Sequence, residues 1–487
     1  MSRAVKLFAA VCCALALCSP PAWASTTVGG GVVGRAGLYD YSPTMIQTGS
    51  GTAAVQQFWW CGARNAGDPS WYTDTVQYEE IALSPLHVVT GPVTVLGERT
   101  VGWDSAFTCN PRVVAGTYVN PLGDGVTYTY AMYYVGTSQT NGTDNSIGVA
   151  FSADGQSWRK YPNPVIYHTS TGGVYYGAGQ PTAVNTSGTA GSAIQLVYEN
   201  SNGPAGTTTH ILETSPDGVH FTAAGTLSTT GLTDPHASIG DLAYNPAAGA
   251  WYGLYEQPTR PPATTGGFVE RGQPGETLYT TTDLLAGAWT PLDTIDTNLT
   301  GYEANFLGSF LRNPDGTVLP GTNGTIEVYQ STSMPRPAAN STPLQRGQSG
   351  DVTRWDIAWS AWTPGAPLRA FTRYYSPTLA VHEVTTGWAD TSTFGAESTL
   401  AHLYEAPTGA FTRPVYGCVQ GSDDYFTSLD AACESQLTLG LDGYLDPNPA
   451  TGLVALYRCY TGTDHFVSTD PGCEGTTTEK ILGYAAP

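Results

Sequence analysis

Carboxylates, amides and one histidine recur beside the ends of short apolar runs through the first three quarters of this chain. Asp40 comes just before Ser42-Pro43-Thr44-Met45, and Asp104 and Asn110 precede Pro111-Arg112-Val113. Gln180 opens a third run and Glu199 closes the one after it. His236 and Asp241 bracket the start of a fourth, Glu256 ends its successor, and Glu303 and Asn305 lie ahead of Gly308-Ser309-Phe310-Leu311. Gathered in one place, these groups would crowd several carboxyls together, raising some pKa values and lowering others. Cleavage of a glycosidic bond needs that contrast: a protonated carboxyl at the leaving oxygen and an ionised one as base or nucleophile.

The elements that would gather them are repeats. Five times between Tyr39 and Trp362, about every 60 to 70 residues, a Pro- or Gly-led apolar strand is followed by an aromatic strand. The openers are Ser42-Pro43, Asn110-Pro111, Gln180-Pro181, Gly240-Asp241 and Gly308-Ser309. The aromatic strands are Phe58-Trp59-Trp60, Met132-Tyr133-Tyr134, Leu196-Val197-Tyr198, Tyr252-Gly253-Leu254-Tyr255 and Glu327-Val328-Tyr329. A third strand in each cycle ends near a Ser/Thr-x-Asp turn, clearest in Ser152-Ala153-Asp154-Gly155-Gln156-Ser157-Trp158 and Ser215-Pro216-Asp217-Gly218-Val219-His220-Phe221. That turn reads as a hairpin tip: Asp accepts from nearby N–H groups, Gly takes positive φ and the aromatic packs beneath. Helical periodicity is nearly absent, so the fold class is all-β, a five-bladed propeller over residues 25–365. In such a ring the start of each innermost strand and the end of the next share one mouth.

Each candidate also has a plain structural role open to it. An Asp at a strand start commonly caps a turn. Asp40 and Asp104 rise above that because they stand at corresponding places in neighbouring repeats, and Asp241 because it interrupts an apolar strand where other repeats have Pro. Glu199 and Glu256 each follow the last Tyr of an aromatic strand and could be strand-end groups. His236, within Asp234-Pro235-His236, could ligate an ion, orient a sugar or belong to its loop. The catalytic candidates are Asp40, Asp104, Asp241 and Glu303; Asn110, Gln180, Glu199, His236, Glu256 and Asn305 are expected to bind substrate. Two long loops, about 258–276 and 334–351, end in related phrases at Arg271-Gly272-Gln273 and Arg346-Gly347-Gln348 and are expected to wall the mouth.

Residues 1–24 read as a signal peptide, with Arg3 and Lys6 before the apolar run Leu7–Leu17 and Ala22-Trp23-Ala24 as the cleavage site. Cleavage would leave 17 of the 19 Lys+Arg against 40 Asp+Glu, a net charge of −23. That surface repels nucleic acid and anionic membranes, and no later run is long enough to span a bilayer. Six of the nine cysteines would remain, an even number suited to disulfides in a secreted, extracellular protein. Cys418/Cys433 and Cys459/Cys473 occupy matching places in two later repeats, which leaves Cys61 to pair with Cys109. No phosphate loop, HExxH, CxxC or Gly-x-Ser-x-Gly motif is present.

Beyond Trp362-Thr363-Pro364-Gly365-Ala366-Pro367 a second repeat of about 41 residues begins. Tyr416-Gly417-Cys418 aligns with Tyr457-Arg458-Cys459, Asp424-Tyr425-Phe426 with Asp464-His465-Phe466, and Gly443-Tyr444 with Gly483-Tyr484. A fainter first copy starts at Tyr374 and passes through His382. Residues 366–487 are expected to form a small threefold β domain of trefoil-like geometry with two local disulfides.

At these residues the chain resembles the five-bladed propeller glycosidases of the arabinanase, xylosidase and levansucrase type, over about residues 30–365. The resemblance rests on the five repeats, on Asp40-Tyr41-Ser42-Pro43, on Tyr133-Tyr134 with its following Ser-x-Asp-Gly turn, and on Gly177-Ala178-Gly179-Gln180-Pro181. It implies an Asp of the first blade as base or nucleophile, matched by Asp40, and a second Asp that tunes pKa, matched by Asp104 or Asp241. The acid would be Glu303, Glu256 or Glu199. The chain departs from the family in placing Asp40 three residues before Pro43, in having Asn110-Pro111 for Asp-Pro, and in lacking Glu-Gly-Pro in the fourth repeat. The C-terminal part resembles a repeat appended to secreted bacterial proteins, best matched by Thr463-Asp464-His465-Phe466-Val467-Ser468-Thr469. That resemblance implies attachment to a cell wall or glycan.

The expectation is a secreted monomer that hydrolyses a neutral poly- or oligosaccharide through paired carboxylates, without cofactor or metal. The alternative is a non-catalytic propeller that binds a glycan or protein at the cell surface.

Overall fold

The computed structural model describes residues 27–29, 40–63, 74–169, 172–187, 193–203, 207–257, 275–321, 324–335, 355–364, 368–389, 391, 393–421 and 424–487. The expected signal peptide, most of both long loops and residues 365–367 of the expected linker lie outside them. The architecture is an all-β propeller followed by a smaller β domain.

The propeller strands pair into four-stranded antiparallel units. After β1 (Thr27–Gly29), the first unit holds β2 (Asp40–Thr48), β3 (Val55–Ala63), β4 (Asp74–Leu83) and β5 (Leu86–Leu96). The second holds β6 (Phe107–Val119), β7 (Thr127–Thr137), β8 (Ser146–Ser152) and β9 (Arg159–Lys160). In the third are β10 (Gly177–Asn185), β11 (Ile194–Ser201), β12 (Thr209–Ser215) and β13 (Thr222–Thr226). The fourth has β14 (Ile239–Asn245), β15 (Ala250–Glu256), β16 (Gly275–Thr281) and β17 (Thr290–Asp296), followed by the single turn α1 (Thr297–Thr300). The last is β18 (Tyr302–Arg312), β19 (Ile326–Pro335) and β20 (Trp355–Trp362), completed by β1, which pairs Val28 with Ser360. The inner strands β2, β6, β10, β14 and β18 neighbour one another in succession, and β18 returns to β2 through a parallel pairing at Leu311 and Met45.

Every inner strand is bulged where the sequence shows its opener. The register against the second strand shifts between Tyr41 and Thr44, Cys109 and Arg112, Gly179 and Thr182, Ile239 and Asp241, and Phe306 and Ser309. Ser42, Asn110, Gln180 and Leu307 take φ of 46–49° at these bulges. Proline is excluded from an inner strand except at such a break, which is why Pro43, Pro111 and Pro181 stand there.

Beneath the bulges all these inner strands meet at one buried ion cluster. Asp241 on β14 is fully buried, and Arg312 of β18 donates to both of its oxygens. Arg312 also donates to Ala183 O at 2.9 Å on β10. Arg112 of β6 reaches Pro43 O on β2 at 2.7 Å and lies 3.5 Å from Asp241. Burial would raise the Asp241 pKa, but Arg312 and Arg112 overcome it and hold the carboxyl below its ordinary value.

Farther out, aromatic side chains join neighbouring units through the repeated turn. Trp59 donates to Gly155 O at 2.8 Å, and Tyr133 donates to Gly218 O at 3.0 Å, so each turn is held by the preceding unit. Within the turns Asp154 accepts from Gln156 and Ser157 N–H, and Asp217 from Val219 and His220 N–H. Trp158 packs edge-on against Trp59, and Phe221 against Tyr133.

The smaller domain contains three strand triplets. These are β21 (Leu368–Ser376), β22 (Val381–Thr385) and β23 (Gly395–Tyr404); β24 (Arg413–Gln420), β25 (Asp424–Ser428) and β26 (Leu437–Leu445); and β27 (Val454–Tyr460), β28 (His465–Ser468) and β29 (Thr477–Ala485). Phe371, Leu403, Val415, Leu445, Leu456 and Leu482 form its own buried cluster, drawn from all three triplets. The disulfides are Cys61–Cys109, Cys418–Cys433 and Cys459–Cys473, the pairing expected from the cysteine positions.

Removing the charge of Asp241 would strand two buried guanidinium groups. Asp241→Asn is expected to cost about 3–5 kcal/mol of stability. The check is a lower urea midpoint at unchanged slope; an unmoved midpoint would show that the cluster does not hold the ring together.

Candidate active site

The bulges carry the start of each inner strand toward the mouth of the ring. Asp40, at the head of β2, is buried and accepts a 2.6 Å hydrogen bond from the indole N–H of Trp60. Next to it Tyr41 stacks on Phe306 of β18, and its hydroxyl donates to Asp74 at 2.6 Å. Asp74 opens β4 beside the Cys61–Cys109 disulfide, with its second oxygen buried and unpartnered. Burial pushes the Asp74 carboxyl up to about 8, against the downward pull of the Tyr41 hydroxyl. At neutral pH this is a protonated acid.

The third and fourth units contribute two more carboxylates. Glu199, at the end of β11, accepts from Ile239 N–H of β14 at 2.8 Å and is raised by burial to about 7. Glu256 ends β15 and is also buried. Tyr176 stands just before β10, and burial raises its pKa, with smaller upward contributions from the charges of Glu199, Glu256 and Asp74. A Cβ on Gly179 would come within 2.2 Å of the Tyr176 ring, so glycine is required there for Tyr176 to keep its place. From the second and third bulges, Asn110 donates to the Gln180 side chain at 2.5 Å, setting two linked amides beside this group.

Not every residue expected at the mouth is free to act there. Asp241 belongs to the buried arginine cluster. Asp104 is fully buried in another ion cluster, 3.2 Å from Arg99 and 2.5 Å from Lys160, and accepts from the Tyr134 hydroxyl. His236 is exposed, with Nδ1 2.9 Å from Thr208 O. Asn305 is buried and accepts from Thr300 at 2.8 Å, anchoring the start of β18. Glu303 lies on β18, but its side chain falls outside the described residues, as does most of the two loops expected to wall the mouth.

Three site residues were not singled out from the sequence. Asp74 follows a polar stretch, where it reads as one more loop acid, and Tyr176 stands among many tyrosines. Glu276 is buried, raised to about 7 by that burial, and both its oxygens accept from Gly308 N–H. A Cβ on Gly240 or Gly308 would come within 1.9 or 2.4 Å of that carboxyl. The lack of Pro at the fourth and fifth openers was the visible trace of Glu276. Among the described residues, the His, Cys, Asp or Glu groups close enough to share an ion are Cys61, Asp74 and Cys109, and the two sulfurs there are bonded to each other.

No family model matches the chain, and no curated protein matches it. Among solved structures, an N-acetylgalactosamine deacetylase from F. plautii in complex with blood group B trisaccharide is similar at 15% identity and a TM-score of 0.43. That match covers 70% of this chain and 97% of the other. An α-L-arabinofuranosidase from Podospora anserina in complex with cellotriose is similar at 12% identity and a TM-score of 0.39, over 70% and 96% of the two chains. A family 117 glycoside hydrolase from Zobellia galactanivorans gives 10% identity and a TM-score of 0.41, over 69% and 89%.

Because the Asp74 pKa is higher folded than unfolded, folding takes up a proton between pH of about 4 and 8. Wild-type stability is therefore eroded by this group as pH rises through that window, whereas Asp74→Asn has no such cost. Urea unfolding at several pH values is expected to show the variant gaining on wild type from pH 4 to 8 and level above it. A constant difference would show that Asp74 titrates normally.

Proposed function

We propose that the propeller mouth binds a neutral glycan and hydrolyses a glycosidic bond, and that the protein works outside the cell. The observation that carries this reading is Asp74, buried with the Tyr41 hydroxyl 2.6 Å from one oxygen and the other oxygen unpartnered, a setting that favours its protonated form near neutral pH. Glycoside hydrolysis calls for such a proton donor beside an ionised carboxylate. Asp74 would protonate the leaving oxygen, and Asp40, oriented by the Trp60 indole, would act as base or nucleophile. Glu199 and Glu256 would tune both, and the stacked Tyr41–Phe306 pair offers an apolar face to a sugar ring. Glu303 is a further acid candidate on β18. Asp104 and Asp241 are assigned to the framework by their arginine and lysine partners. Three disulfides support an oxidising, extracellular setting, and among the described residues no helix is long and apolar enough to cross a membrane.

A second reading, a propeller that binds a glycan without cleaving it, is favoured by the bulges themselves. The three Pro-led openers place Ser42, Asn110 and Gln180 at these bulges, a hydroxyl and two amides of the kind that hydrogen bond sugar hydroxyls.

The experiment is release of reducing sugar from a panel of neutral plant and microbial glycans by wild type, Asp40→Asn, Asp74→Asn and Glu199→Gln. Loss of a general acid or base is expected to slow turnover about 100-fold or more with folding retained. Binding of a glycan by wild type with no hydrolysis of any would replace this reading with the second.

A further inference from the structure

The smaller domain contains three quasi-equivalent notches between its repeats, and one differs from the other two. Strand pairing puts Arg373, Gly417 and Arg458 at one position and Glu397, Leu439 and Glu479 at another. Thr385, Ser428 and Ser468 correspond likewise, as do His382, Tyr425 and His465.

Two notches are filled from within. Arg458 donates to Glu479 at 2.6 Å and to Glu434 of the preceding repeat at 2.7 Å, while Ser428 donates to the same glutamate at 2.9 Å. Arg373 does the same with Glu397 at 2.8 Å and Glu474 at 2.7 Å, and Ser468 donates to Glu474 at 2.7 Å. A histidine spans each of these junctions, His465 to Asp424 at 2.8 Å and His382 to Asp464 at 2.7 Å.

At the third junction the hydroxyl is kept, as Thr385, and the arginine, its glutamate and the histidine–aspartate pair are replaced. Gly417 stands for the arginine and Leu439 for the glutamate, and the histidine–aspartate pair becomes Tyr425 and Val381 in one apolar cluster. The propeller supplies what is missing. Asn298 of α1 accepts from the Thr385 hydroxyl at 2.7 Å, as Glu434 and Glu474 accept from their serines, and donates to Asp442 at 2.8 Å. Glycines make the room: a Cβ on Gly387 would lie 1.8 Å from Asn298 O, and one on Gly440 2.2 Å from an Asp296 oxygen. Asp296 in turn accepts from Leu441 N–H at 2.9 Å, and nearby Arg369 donates to Asp293.

We infer that this third notch is a dedicated socket for the propeller segment 296–300, and that through it the repeat domain positions the β18 side of the mouth. The socketed turn leads directly to that side. The Thr300 hydroxyl lies 2.9 Å from Asp296 O and 2.8 Å from Asn305 Oδ1, its one proton shared between them, and Asn305 donates to Tyr302 O. Phe306, the next residue, stacks on Tyr41 of the neighbouring strand β2. The repeat domain is then part of the mouth's support as well as whatever else its two intact notches do.

The test is amide hydrogen exchange on the full chain, comparing wild type, Asn298→Ala, Gly440→Val and Arg373→Ala. Weakening the socket is expected to speed exchange at residues 302–306 about tenfold or more in the first two variants. Arg373→Ala, which opens an equivalent but self-filled notch, is expected to leave those amides unchanged. Unchanged exchange in Asn298→Ala with the domain still folded, or equal acceleration in Arg373→Ala, would overturn the inference. The readout involves no glycan, so its failure would leave the hydrolase reading untouched.

Discussion

The ring depends on one buried charge pairing. Asp241 and its two arginines are the contact that the inner strands share, and most of their remaining hydrogen bonds go to backbone carbonyls on other strands. A propeller has no single core at its axis, since each apolar cluster lies between or within units. The axis must therefore be closed by polar groups that satisfy one another. Desolvating three ions is expensive, and the expense is offset because the Arg312 guanidinium meets both carboxylate oxygens while both arginines reach several carbonyls. Such a cluster specifies geometry tightly: a unit that drifted would leave a buried ion unpaired.

With the ring so fixed, strain can be held just above it. Four non-glycine residues in left-handed conformation at matching bulges are unfavourable by about 1 kcal/mol or more each. They persist because the Pro-led strands below and the arginine cluster leave no alternative register. The result is that side chains at the heads of β2, β6 and β10 face one another instead of alternating away. The same closure buries Asp74, Glu199 and Glu276 far enough from water to lift their pKa values toward or past neutrality.

How much of this could be read in advance followed the range of the interaction. The openers and the Ser-x-Asp-Gly turns are local, and the structure has a bulge or a stapled hairpin at each. The disulfides in the repeats were legible because symmetry set their partners. Asp241 was conspicuous for a sound reason, a charge within an apolar strand, but its partner Arg312 lies 71 residues away on another unit and sequence spacing carries no sign of it. Asp104 was misleading in the same way, its lysine 56 residues distant on an outer strand. Asp74 went unnoticed because its special property is burial, which loop-like composition around residues 64–73 conceals. Glu276 left an indirect mark, the two glycines that replace proline where its carboxylate needs space.

The C-terminal repeats invert that lesson. Their shared pattern invites the view of three equal modules appended to a propeller, and it is the departures that carry information. An arginine lost to Gly417, a glutamate lost to Leu439 and a His–Asp pair lost to Tyr425 and Val381 would each look like decay in isolation. They fall on one junction, and a segment of the propeller fills that junction with a side chain that accepts from Thr385 as Glu434 and Glu474 accept from their serines at the other two. Coordinated loss at a single symmetry-related place is what a repeat shows when a partner has taken over part of its internal contacts. By that reasoning the two domains were fitted to each other, and the mouth of the propeller is shaped from outside its own ring.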